Sequence, residues 1–208
     1  MHPVRLASAG LYIFLLWAAP GWAQDFNAGF EYRPVPKPLE RSAGDSVLVQ
    51  EFFWYGCPAC NSFEPFVQAY RADLPKGVEF EHVPAVLNPR WENHARAFYT
   101  AEVLGVLDKI HGPLFEAIHR EGRRLGDRES LAEFFVEHGV PEADFNRTFR
   151  SFAVQTRLNR AGKLAERFGV RAVPTVVVNG RYLSDRNMAG GNRELIDVIR
   201  FLATKESG

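Results

Sequence analysis

Cysteine is scarce in this chain: 208 residues contain two, Cys57 and Cys60. A zinc centre needs about four ligands, and there is neither a second Cys-x-x-Cys nor a histidine pair at ligand spacing beside the first, so the sequence names no metal-binding residue. Charge of one sign is also lacking. Twenty-five basic residues balance twenty-five acidic ones, so no strong field selects nucleic acid or an anionic membrane surface. No apolar run reaches the roughly 20 residues of a membrane-spanning helix. Gly-rich phosphate loops, HExxH metal motifs, a nucleophile-elbow serine and internal repeats are all missing.

What is present is concentrated around the two cysteines. They stand as Cys57-Pro58-Ala59-Cys60 directly after the run VLVQEFFWYG, and a lone Cys-x-x-Cys behind a strand reads as a redox dithiol. Residues 47–54 are rich in β-branched and aromatic types and apolar on both faces apart from Gln50 and Glu51, which marks a central strand. From Pro58 to about Leu74 the residues Phe63, Phe66, Val67 and Tyr70 recur at helical spacing. Cys57 is then the cap of that helix, where free N–H groups and the dipole favour a thiolate and hence a nucleophile. Cys60, one turn further in, is the more buried partner that closes the disulfide. A purely structural bridge is the competing reading, but so short a loop constrains the unfolded chain little.

The N-terminus bears on the compartment. Arg5, the apolar stretch Leu6 to Ala19 and the breaker Pro20-Gly21-Trp22-Ala23 make residues 1–23 a signal peptide cleaved after Ala23. Removing Arg5 with it leaves 24 basic and 25 acidic residues, a net charge of −1. Export would put the dithiol in an oxidising space, with oxidation as its default direction.

Beyond residue 77 the pattern changes twice. VEFEHV at 78–83 reads as a strand, and from about Trp91 to Phe168 every periodic segment reads as helix, four or five in all. The clearest start is the capping box Ser130-Leu-Ala-Glu133, with its helix closed at Gly139. The next begins at Pro141, with Phe145, Phe149 and Phe152 along one face. Strand signals return at Val173 to Val178 and Arg181 to Leu183 around an Asn179-Gly180 turn, before a last helix from about Arg193 to Thr204. With an edge strand near Phe30 to Val35, the expected fold is an α/β mixed sheet split by an all-helical insertion. The segments are 24–88, an insertion at 89–165, and 166–208.

EFFWYGCPAC, the helical insertion and RAVPTVVVNGRYL together resemble the DsbA family of periplasmic thiol:disulfide oxidoreductases, which have a thioredoxin-like fold interrupted by a helical domain. The resemblance implies a cis Val173–Pro174 bond facing the disulfide, with the Val173 backbone, Pro174, Pro58 and Ala59 on the substrate-binding face. It implies that Glu51, under the active site, relays the proton of Cys60 and that Glu64 lies near the dithiol. The only redox group implied is the Cys57–Cys60 disulfide, with no separate cofactor. The implied partners are unfolded exported proteins bearing thiols and a quinone-linked membrane reoxidant of the DsbB type, and the implied state is a monomer. One departure stands out: the best-known family motif has histidine where this chain has Ala59, which cannot donate a hydrogen bond or carry charge, so weaker stabilisation of the Cys57 thiolate is expected.

Two other readings remain open. A disulfide isomerase or reductase would need a reductant and usually a dimerisation domain, for which the N-terminus is short; a peptide-binding chaperone would carry the cysteines incidentally. Trp54 and Tyr55 are candidates for an exposed peptide groove, with core packing as the alternative for Trp54. His82, His94, His111, His119 and His138 are expected in solvated or capping roles. Arg120, Arg123, Arg124 and Arg128 are expected on a solvated loop.

Overall fold

The apolar run after residue 46 forms the strand around which the sheet is built. The structure, a computed structural model, describes residues 26–40, 42 and 44–207; the signal peptide expected at 1–23 and its expected cleavage site lie outside them. The chain enters with β1 (Arg33–Pro34), β2 (Val47–Phe53), α1 (Pro58–Ala72) and β3 (Val78–Pro84). A 3-10 turn at Pro89–Trp91 leads into α2 (Glu92–Val103), α3 (Leu107–His119), α4 (Arg128–Glu137), α5 (Glu142–Phe149) and α6 (Phe152–Phe168). It returns to the sheet with β4 (Thr175–Val178) and β5 (Tyr182–Asp185), then ends in α7 (Arg186–Ala189) and α8 (Asn192–Ser207).

The five strands lie in the order β1-β5-β4-β2-β3. Strand β2 pairs parallel with β3 and antiparallel with β4, so it is interior, and six of its seven residues are buried. Parallel neighbours need a crossover, which α1 supplies. On one face, Val49, Val176 and Val178 pack against Phe63 and Val67 of α1 and Leu195 and Leu202 of α8. On the other, Phe52, Val177 and Leu183 meet Ala165 and Phe168 of α6, and the same cluster runs on through Phe98, Leu114, Phe134 and Phe145. Sheet and helical insert therefore share one continuous core. At their junction the Phe53 ring meets Tyr55, His111 and Phe98 edge-on, with centroids 5.1, 5.2 and 5.5 Å away. Full burial of each phenylalanine contributes about 1.5–3 kcal/mol.

Several local expectations are corrected. The cap of α4 is Asp127, whose carboxylate accepts from the Ser130 N–H at 2.8 Å. Ser130 thus lies within the first turn, its N–H one of the free donors that the aspartate satisfies. Phe152 does not continue the Phe145 and Phe149 face. Helix α5 stops at Phe149, Ser151 caps a new helix, and Phe152 is 86% exposed. Helix α6 runs to Gly169, whose φ of 68° ends it in the left-handed conformation glycine tolerates. The division at 165/166 therefore falls inside a helix. The edge strand is shorter than 30–35 suggested, with Phe30 exposed. The arginine cluster, by contrast, lies on an exposed connection as expected, with Arg120 and Arg124 exposed and Arg123 gripping Glu137 through two nitrogens at 2.7 and 2.9 Å.

Candidate active site

The end of β2 carries the chain through Trp54, Tyr55 and Gly56 into α1, so the dithiol sits where the strand hands over to a helix N-terminus. Cys57 is the N-cap, with extended backbone, and its Sγ accepts from the Cys60 N–H at 3.4 Å. Pro58 occupies the first helical position, where no donor is needed. Both cysteines are free thiols here. Cys57 is partly exposed and Cys60 is 1% exposed.

That asymmetry separates their chemistry. The hydrogen bond from Cys60, then the backbone N–H groups of Cys60 and Ala59 and the nearby His119, outweigh burial and bring Cys57 from 9.0 down to about 6. Burial above all, aided by the neighbouring Cys57 and Glu51, drives the Cys60 thiol far up. One sulfur is thus a ready thiolate at neutral pH and the other holds its proton. His119, from the end of α3, places Nε2 2.7 Å from the Tyr55 carbonyl, so the insert reaches the active-site turn.

The Val173–Pro174 peptide is cis, as the resemblance implied. The Val173 carbonyl oxygen is 3.5 Å from Cys57 Sγ, which brings the second motif to the attacking sulfur. Strand β4 begins only at Thr175, whose hydroxyl donates back to the Ala172 carbonyl at 2.8 Å.

Glu51 is 1% exposed, with His82 opposite it in β3 and Val176 opposite it in β4. Burial, reinforced by Glu64, pushes its carboxyl up to about 8. His82 Nδ1 lies 3.0 Å from Glu51 Oε2. Burial holds this imidazole well below its ordinary range, so the pair is a hydrogen bond between neutral groups at neutral pH rather than an ion pair. Glu64 is also buried. Its desolvation is outweighed by His111, His82 and Gln68, which hold it below 4.5; His111 Nε2 is 3.4 Å from Glu64 Oε2.

Histidine is where the sequence reading fell short. His82, His94 and His111 are buried instead of solvated, and the His82 and His111 rings stand 4.5 Å apart although 29 positions separate them. A usable signal existed for His111, which shares the apolar face of Leu114 and Phe115 at helical spacing. None existed for His82, whose place beside Glu51 depends on strand register. Tyr55 is fully buried, its hydroxyl 2.8 Å from His111 Nδ1, and so forms no part of an exposed groove. Trp54 stacks on Trp91 at 4.5 Å and 6°. Among the described residues, Glu64, His82 and His111 form a cluster able to offer metal ligands, their donor atoms all within 4.8 Å of one another.

Comparison with known proteins agrees with this geometry. Residues 48–198 match the family described as DSBA-like thioredoxin domain. The chain is 37% identical over 201 residues to the thiol:disulfide interchange protein DsbA of Pseudomonas aeruginosa, covering 97% of this chain and 95% of that one. It is 37% identical over 182 residues to the protein of the same name from Azotobacter vinelandii, covering 88% and 85%. The crystal structure of Pseudomonas aeruginosa DsbA superposes with a TM-score of 0.82 at 39% identity, covering 87% of this chain and 94% of that one. Oxidoreductase DsbA from Xylella fastidiosa gives 0.77 at 33% identity, covering 85% and 95%.

Proposed function

The chain belongs to the DSBA-like thioredoxin family, and from that premise we propose that it donates a Cys57–Cys60 disulfide to exported proteins. It is a thiol:disulfide oxidoreductase with the DsbA-like thioredoxin fold. The observation that carries the direction of reaction is the contrast between the two sulfurs. A Cys57 thiol brought down to about 6 stabilises the reduced enzyme, which makes the disulfide a stronger oxidant.

In the proposed cycle a substrate thiolate attacks Cys57 Sγ of the disulfide. The Cys57–Cys60 bond breaks, a mixed disulfide forms, and Cys60 leaves with the electron pair. Its thiolate is strongly disfavoured, so it takes a proton from Glu51, whose carboxyl is protonated at neutral pH. A second substrate thiolate then attacks the substrate sulfur of the mixed disulfide, and Cys57 departs as the stable thiolate. Two electrons pass from substrate to enzyme, and the substrate gains one disulfide.

The Val173 backbone beside Cys57 supports main-chain recognition of an extended client, with Pro174, Pro58 and Ala59 shaping the same face. Such pairing is tolerant of sequence. Glu64 acts as a positioning group on α1, held by His111 and Gln68. A periplasmic location follows from the leader-like residues 1–23, with cleavage after Ala23; no helix among the described residues is long and apolar enough to cross a membrane. Reoxidation falls to a quinone-linked membrane partner of the DsbB type, the enzyme acting as a monomer.

The deciding experiment is the equilibrium potential of the dithiol against glutathione. A couple more oxidising than glutathione supports disulfide donation. A thioredoxin-like reducing value would overturn it in favour of reductase or isomerase work.

A further inference from the structure

Beneath the dithiol, α1, β3 and α3 bring Glu64, His82 and His111 to one buried point. From this convergence we infer a zinc-class divalent metal site in which His82 Nε2, His111 Nε2 and the Glu64 carboxylate are the protein ligands. Two imidazoles and one carboxylate with an open fourth position are a donor set that zinc accepts.

The distal nitrogens are already committed in the sense such a site requires. His82 Nδ1 faces Glu51 Oε2 at 3.0 Å, and His111 Nδ1 faces the Tyr55 hydroxyl at 2.8 Å. Metal-bound histidines characteristically present the second ring nitrogen to a carboxylate or another oxygen, which fixes the tautomer and aims the first at the ion. His111 Nε2 is buried and makes no hydrogen bond, with Glu64 Oε2 at 3.4 Å. That separation equals the ligand–ligand distance of about 3.3 Å in a tetrahedral site with bonds of about 2.0 Å. One donor atom from each of the three residues lies within 4.8 Å of the others, so a small ring rotation closes the set.

Access comes from outside. A cavity of about 350 Å³ is lined by Glu64, His82, His111, Arg71 and Asp108. It leaves room for water or the Asp108 carboxylate at the fourth position. Arg71 Nη1 is 3.4 Å from His82 Nε2, but Arg71 is exposed, so its side chain can swing into solvent as the metal enters. The dithiol supplies no ligand, and Glu51, which faces His82 Nδ1 at 3.0 Å, is the link between this site and the redox reaction.

The test uses the oxidised protein, in which neither sulfur is a free thiolate. Zinc titration by calorimetry should find one equivalent per chain, and cobalt(II) should give the intense visible bands of a four-coordinate ion. His111→Gln and His82→Gln should each weaken zinc by more than about 100-fold, and Tyr55→Phe, which removes only a hydrogen bond to a ligand, by about 10-fold. Near-UV circular dichroism of each variant confirms the native core before titration, and Glu64→Gln serves as a further ligand variant if one histidine variant fails to fold. Absence of stoichiometric binding, or binding that survives loss of a ligand in a folded variant, would overturn the inference.

Discussion

The Sγ of Cys57 lies 3.5 Å from the carbonyl oxygen of Val173, a contact between residues 116 apart in the chain. A thiol can donate to that oxygen but a thiolate cannot, whereas the Cys60 N–H on the other side favours the thiolate. The helix side wins, since Cys57 ends at about 6. Alkylation of the reduced protein by iodoacetamide should therefore rise with a midpoint near pH 6 and be flat above pH 8. A midpoint at the ordinary thiol value near 8.5 would refute this reading of the cap.

The same depression carries a stability signature. A group whose folded value is lowered from 9.0 to about 6 contributes stability that is fully present above the unfolded value and is lost as pH falls through 6. Urea unfolding of the reduced protein, compared with Cys57→Ser, should show an advantage for the native residue that grows between pH 6 and 9. A difference independent of pH would count against it.

Ala59 is the position where charge is missing. Placing an imidazole between Pro58 and Cys60, as in Ala59→His, puts a potential cation beside the Cys57 sulfur. The alkylation midpoint should drop by about one pH unit, and the couple should become more oxidising by about 30 mV for each such unit. An unchanged or higher midpoint would show that His119 and the helix cap already saturate the effect.

Gly56 is required for space. A Cβ there would stand 2.3 Å from the Trp54 ring, which is pinned by its stack on Trp91. Gly56→Ala should therefore displace the indole and cost about 1–3 kcal/mol, measurable as a lower urea midpoint with a changed near-UV spectrum. A spectrum and midpoint like those of the native protein would mean that the turn relaxes without moving Trp54.

The contrast between motif and network explains what the sequence could disclose. The dithiol, its strand and its helix were legible because each rests on local rules, namely an apolar run, a cap and a proline at the first helical position. The sheet split by helices was legible for the same reason. Phe152 was misread because a break of two residues after Phe149 resets the helical phase. The buried histidines were misread because composition makes histidine a surface residue by default. Only the register of β3 against β2 brings His82 to Glu51, and only the docking of α3 onto α1 brings His111 to Glu64. Pairing across elements is a tertiary fact that periodicity does not encode.

Glu51 joins the local motif to that network. Glutamine at this position retains a carbonyl that can accept from His82 Nδ1, yet it has no proton to exchange with Cys60. Glu51→Gln should fold normally and still form the mixed disulfide, while the steps that protonate or deprotonate Cys60 slow by about 100-fold. Stopped-flow oxidation of a dithiol peptide, run with a chelator so that no metal perturbs His82, separates the two stages. That slowing falls on substrate attack at Cys57, because Cys60 then leaves as an unprotonated thiolate in a site that strongly disfavours it. Alkylation of Cys57 in the reduced variant should stay close to native, since its thiolate rests on the helix cap. Exchange at the native rate would remove Glu51 from the reaction and leave it a structural partner of His82.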